Sequence, residues 1–182
     1  MSTDHDLLKL ARVVSAAGLG VSAGIMSTIP FVSVPVLFNS NLSAEMRLRT
    51  WRVLFEHVVA FMAPYTVSLG LLGGAVAYHA VPPPVAAPGG GSWWSVNRKA
   101  ILTASALCDL ALAPLSIFFL YPVGDRIKAI EQSLAKMDEG ARTAAAREGD
   151  ALLKKEWAPL YVAKVALGLA ALGLAAGELG YA

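Results

Sequence analysis

Apolar residues crowd into four stretches of the chain, and polar residues collect between them. The stretches run roughly from Leu7 to Ile29, Trp51 to His79, Val96 to Tyr121 and Trp157 to Tyr181. Each is long enough to cross the hydrocarbon core of a bilayer, which takes about 20 residues of helix. The pattern predicts an all-α fold, a polytopic membrane four-helix bundle forming one integral-membrane domain over residues 1–182. Between the third and fourth stretches, Asp125 to Glu156 is polar, alanine-rich and charged. It has helical character without an apolar run, and reads as a helix extension followed by an amphipathic or loop segment outside the bilayer.

The breaks are as informative as the runs. After the first helix, TIPFVSVPVLF stays apolar although Pro30 and Pro35 interrupt it. A distorted segment at membrane depth is tolerated where it is buried in protein or lines a cavity. The connection NSNLSAEMRLR leads into the second helix, where Pro64 should introduce a kink. VPPPVAAPGGGS is a loop, since its prolines and glycines cannot continue a helix. Gly20 and Gly24 form a G-x-x-x-G face, and GLAALGLAAG in the fourth helix forms another. Such faces let backbones approach closely and leave room for a homo-oligomer.

Composition sharpens this picture. The chain has 182 residues, 56% of them hydrophobic and 15% charged, with a mean hydropathy of +0.57. A soluble domain carries more charge. A net charge of +2 without a basic cluster interleaved with aromatics argues against nucleic acid as a partner. The lone Cys108 rules out an intrachain disulfide and a multi-cysteine metal site, and reads as a small hydrophobe. The start, MSTDHDLLKLAR, lacks the basic and apolar regions of a secretory signal, so the first helix is expected to be retained. Ten of the fifteen Lys and Arg residues lie in the connections between helices 1–2 and 3–4. The positive-inside rule places those connections in the cytosol.

Against this background the intramembrane polar residues stand out. Asp109 is the only charge between Ala100 and Tyr121. A carboxylate at the bilayer centre costs at least ~2.5 kcal/mol on insertion scales. Measured from the side carrying the 3–4 connection, helix rise puts His57 roughly 9 Å deep, Lys164 roughly 10 Å and Asp109 about 18 Å. Helix periodicity groups Ser105, Asp109 and Ser116 on one face, and Trp157, Tyr161, Lys164 and Gly168 on another. His57, Phe61, Pro64 and Ser68 share a third. Each stripe is expected to face the interior, giving a pocket with a polar base and aromatic walls. Structural alternatives stand beside this: Lys164 snorkelling to the interface, His57 as a packing residue, and Asp109 in a buried Asp–Lys or Asp–Ser network. Glu56 is expected to pair with Arg52, and His79 and Glu178 look interfacial.

No G-x-S-x-G, G-x-x-x-x-G-K-[ST] or H-E-x-x-H motif is present. Haem or copper ligation normally wants paired histidines. Only His57 is deep enough, with His79 near the opposite surface, so no metal ligand set emerges.

The third helix and its exit, LAPLSIFFLYPVGDRI, resemble the integral-membrane family of fungal anthrone oxygenases and their bacterial relatives. In that family the third helix carries P-x-T/S and ends in a Pro-Thr-Asn-x-x-Leu-like motif. Pro114, Ser116 and Pro122–Ile127 occupy those places, with Val123 and Gly124 in place of Thr and Asn and Asp125 as a polar substitute. The resemblance extends to IMSTIPFVSVPVLF, to Trp51 and Pro64, and to Trp157 ahead of Lys164. It implies oxidation of an anthrone-type aromatic polyketide to an anthraquinone, with O₂ as co-substrate and no other cofactor expected. A base would remove a proton from the central methylene, and a donor would stabilise the anthranolate oxygen. The resemblance makes His57 or Asp109 the base and Lys164 or Tyr65 the stabiliser, with Trp51, Phe55, Phe61 and Phe118 stacking on the rings. Ser105, Ser116, Trp157 and Tyr161 would complete the site, and a lipophilic substrate would enter from the lipid bilayer. The membrane would be the endoplasmic reticulum in a fungus or the inner membrane in a bacterium. The competing expectations are a non-enzymatic transport or assembly protein with a structural Asp109–Lys164 pair, and a haem or quinone redox protein.

Overall fold

The computed structural model describes residues 2–80 and 93–181, and the loop expected at VPPPVAAPGGGS lies outside the described residues. Among them every regular element is helical. In chain order these are α1 (Ser2–Thr28), α2 (Val34–Asn39), α3 (Ala44–His79), α4 (Trp93–Val96), α5 (Arg98–Leu110), α6 (Leu112–Leu115), α7 (Tyr121–Leu134), α8 (Glu139–Leu152) and α9 (Ala158–Tyr181). Short π-helical segments join several of them end to end. The result is four long stretches, Asp6–Asn39, Ala44–His79, Arg98–Leu134 and Glu139–Gly180, each long and apolar enough to cross a membrane. Large apolar side chains such as Leu7, Val21, Phe31, Leu71 and Ile117 point outward along them. An aqueous protein does not expose apolar surface on that scale. The protein is an all-α, multi-pass membrane protein with a four-helix arrangement.

The prolines shape these spans in a consistent way. Among the described residues three π-helical segments occur, Ile29–Ser33, Ser116–Leu120 and Leu153–Trp157. Each ends two residues before a proline, at Pro35, Pro122 and Pro159 respectively. The residue just before each proline donates its N–H five residues back: Val34 to Ile29, Tyr121 to Ser116 and Ala158 to Leu153. A proline has no N–H to close the ladder, and its ring presses on the carbonyl one turn back. Widening by one residue relieves that pressure without ending the helix. The distorted apolar segment expected after the first helix is therefore a π-helical turn. Pro64 is accommodated differently, inside an uninterrupted α3.

The residues cluster into two compact units, and every span contributes to both. The first unit comprises Met1–Gly24, Pro64–Ala113 and Ala166–Ala182; the second comprises Ile25–Ala63 and Pro114–Val165.

The first unit packs through small side chains. Ala16, Leu19, Leu69, Ala171 and Ala175 form its core, flanked by Tyr65, Cys108, Leu172 and Leu179. A Cβ at Gly18 would collide with a Leu69 methyl, so a larger residue there would force that side chain to shift. Gly20 lies against Leu172, and Gly24 is open.

The second unit has a core of Leu48, Trp51, Ile127, Leu134, Leu153 and Trp157. Here the stretch expected as amphipathic helix or loop forms α7 and α8, a helical hairpin. Asp138 caps α8 by accepting from the Ala141 N–H at 2.8 Å. Ion pairs hold the hairpin to α3. Arg47 donates to both carboxylate oxygens of Asp150, at 2.8 and 2.6 Å, and to the Leu42 carbonyl. Arg52 pairs with Glu131 at 2.6 Å, and Glu56 with Lys128 at 2.7 Å. The expected Glu56–Arg52 pair gives way because α7 offers both residues partners on a neighbouring helix.

These pairs differ in worth. Arg47→Ala removes a part-buried bidentate contact and should lower stability in detergent by about 1.5–3 kcal/mol. Arg126→Ala removes an exposed pair with Glu156 at 3.3 Å and should cost about 0–1 kcal/mol. Equal losses in thermal unfolding would contradict this ranking.

Candidate functional site

The second unit contains an aromatic cavity. Trp51, Leu54, Phe55, Val58, Val59, Met62 and Ala63 line it from α3, and Ile29, Leu120, Tyr121, Trp157, Tyr161 and Lys164 close it. Ile29, Leu120 and Trp157 come from the three π-helical segments, so the widened turns all border the same space. Segments of this kind often mark functional positions.

The rings interlock. Trp51 stacks on Phe55 at 4.9 Å and 13°. Trp157 meets Trp51 edge-on at 5.4 Å and Phe55 at 6.1 Å, while Tyr121 meets Phe55 at 6.2 Å. Tyr161 lies 4.8 Å from Trp157, and the Lys164 ammonium sits 5.7 Å from the Tyr161 ring centre, within cation–π range. Gly124 makes room for the Phe55 ring, since a Cβ there would stand 3.0 Å from its Cζ.

Three polar atoms of this wall are buried without a hydrogen-bond partner among the described residues: Trp51 Nε1, Trp157 Nε1 and the Tyr161 hydroxyl. Buried donors are nearly always satisfied, so three together on one apolar cavity require an explanation. The cavity encloses about 20 Å³, room for one water.

Several expected site residues lie elsewhere. The His57 ring is exposed and borders an open groove with Met46, Arg49, Thr50, Val53 and Leu54. Phe61, Pro64 and Ser68 are exposed as well, so this stripe faces outward, contrary to expectation. The reason is local. His57 Nδ1 donates to the Val53 carbonyl at 2.7 Å, and the Ser68 hydroxyl donates to Pro64 at 2.9 Å. Each satisfies itself on its own helix and needs no interior. Phe118 is 70% exposed, whereas Ser116 is buried. Tyr65 belongs to the first unit, where its hydroxyl donates to the Gly18 carbonyl at 3.2 Å.

Asp109 also belongs to the first unit. It is 2% exposed, and neither carboxylate oxygen has a hydrogen-bond partner among the described residues. The expected Asp109–Lys164 pair is therefore absent. So is the Asp–Ser contact, because the Ser105 hydroxyl donates to the Ala171 carbonyl at 2.7 Å.

The ion cluster that sequence reading missed is nearby. Glu178, expected at the interface, is fully buried. Arg12 binds it through both Nε and Nη2, and Arg98 Nε lies 2.8 Å from Oε1. Arg12 and Glu178 sit near opposite ends of the sequence inside apolar helices. A matched pair of isolated opposite charges was the signal available.

Among the described residues, no group of three or more His, Cys, Asp or Glu side chains is placed to hold a metal ion. Comparison with protein-family models, curated proteins and solved structures finds no match for the chain.

Glu178→Gln leaves two guanidiniums facing a neutral amide. Breaking a buried pair in this way should cost about 3–5 kcal/mol in detergent unfolding. An unchanged midpoint would show that the cluster contributes nothing to the fold.

Proposed function

We propose that the protein binds and oxidises a planar phenolic aromatic of the anthrone type in the cavity of the second unit. The observation that carries this reading is the set of three unpartnered buried donors, Trp51 Nε1, Trp157 Nε1 and the Tyr161 hydroxyl, set among stacked rings beside Lys164. A ligand that is flat and bears keto and hydroxyl oxygens would satisfy both features. The rings supply faces and edges for stacking, and the donors supply hydrogen bonds to oxygen. The resemblance in LAPLSIFFLYPVGDRI supplies the reaction.

The chemistry centres on Lys164, the only aliphatic amine or carboxylate among the described residues that line this cavity. An anthrone is in equilibrium with its enol. Lys164 as amine takes the enol hydroxyl proton, and the ammonium so formed stays beside the anthranolate oxygen. The electron-rich central carbon then reduces O₂ and forms a C–O bond to it. Loss of water leaves the quinone, so one anthrone and one O₂ yield one anthraquinone and one water. The base role thereby passes from His57 and Asp109 to Lys164.

A three-ring ligand needs more than about 20 Å³, so the wall must open to admit it. Ile29–Ser33, Ser116–Leu120 and Leu153–Trp157 are the places where the helical ladder is already widened, and small shifts in register cost least there.

The test is O₂ consumption with quinone formation by the purified protein given an anthrone. Turnover should exceed autoxidation, and Lys164→Met should lower kcat about 10²-fold or more, the scale of losing an oxyanion partner. His57→Ala should keep wild-type turnover because its ring lies outside the cavity. Full activity in Lys164→Met, or no rate above autoxidation in the wild type, would overturn the reading.

A further inference from the structure

The first unit holds a buried carboxylate that the aromatic cavity does not use. Asp109 borders a small cavity with Arg12, Ser15, Gly73, Ser105 and Glu178. The cavity measures about 10 Å³, close to the least volume that holds one water. Gly73 of α3 lies in its wall, and Gly70 packs beside Asp109. A Cβ at Gly70 would meet the Leu110 side chain at 2.6 Å and Asp109 Oδ2 at 3.3 Å, and one at Gly73 would meet Ala106 at 3.5 Å and the Ser15 hydroxyl at 3.7 Å. We infer that Asp109 is a proton-binding site, loaded and unloaded through this cavity from the Arg12–Glu178–Arg98 cluster.

The charges around it support exchange of a proton more than a fixed ion pair. The first span brings Arg12, the fourth brings Glu178, and Arg98 lies on the span of Asp109 itself. The second span brings only Leu69, Gly73 and Val76 to the cavity, and Tyr65 and Cys108 pack against the adjoining apolar core. Both guanidiniums lie within ion-pair distance of Glu178, and neither Asp109 oxygen has a hydrogen-bond partner among the described residues. The triad therefore carries one net positive charge. With Asp109 ionised the cavity is neutral overall, and with Asp109 protonated no carboxylate is left bare in an apolar wall. Each state has its own compensation, so moving between them requires only a proton and a path. The Arg12 and Arg98 side chains keep 14% and 20% exposure, so the cluster itself is not sealed from the surface.

Dicyclohexylcarbodiimide tests this on the intact protein in nanodiscs. It reacts with a protonated carboxyl in apolar surroundings: the carboxyl oxygen adds to the carbodiimide carbon as the proton moves to nitrogen. Peptide mass spectrometry should find the adduct on Asp109, with a yield that falls as pH rises. Glu178, paired with Arg12 and Arg98, should stay unmodified, and Gly73→Leu, which fills the cavity, should slow labelling of Asp109. Absence of an adduct at every pH, or a yield independent of pH, would overturn the proposal, and the wild-type protein alone decides it. Protection by Na⁺ at fixed pH would also overturn it, since the site would then hold a metal cation.

Discussion

Hydrocarbon cannot solvate a carboxylate, a guanidinium or an indole N–H, and that inability organises this protein. With four spans that turn leucine, valine and phenylalanine outward, a polar group has three resorts. It can bond its own helix, find a partner inside, or remain buried and unpaired at a cost. His57 and Ser68 take the first resort, and Glu178 with Arg12 and Arg98 the second. Asp109, Trp51, Trp157 and Tyr161 take the third, and they are the residues on which the functional proposals rest.

Proline supplies the second theme. In three spans a proline lies two residues beyond a π-helical segment, and residues of all three segments border the aromatic cavity. The same steric pressure that would break a short helix here widens a long one and turns bulky side chains toward a common space. Trp157 shows the effect: it closes a π-helical turn, is almost wholly buried, and touches Trp51, Phe55 and Tyr161.

The spans were legible because hydropathy and length act over twenty residues and need no tertiary information. The face shared by Trp157, Tyr161 and Lys164 was legible too, since helical periodicity brings those positions together, and all three line the cavity. Periodicity misled on α3, because it identifies which residues share a face without saying which way that face points. Self-satisfied groups such as His57 and Ser68 removed the penalty on which the inward assignment relied. Tyr121 was missed because it lies at the end of its apolar run, where tyrosine is ordinarily interfacial. Glu178 was missed for the same reason, and its partners Arg12 and Arg98 lie so far from it in sequence that no local pattern joins them. The division of aromatic residues and Asp109 between two units depends on tertiary packing, which no local pattern reports.

Central to the account is the proposal that the aromatic cavity of the second unit takes a planar aromatic ligand beside Trp51 and Trp157. The most direct measurement is tryptophan emission during titration of an anthraquinone into the protein in nanodiscs. The account predicts saturable quenching that is lost in Trp51→Phe/Trp157→Phe and kept in Trp93→Phe. Quenching that survives the double substitution, or that never saturates, would contradict it and place the ligand elsewhere in the protein or in the lipid.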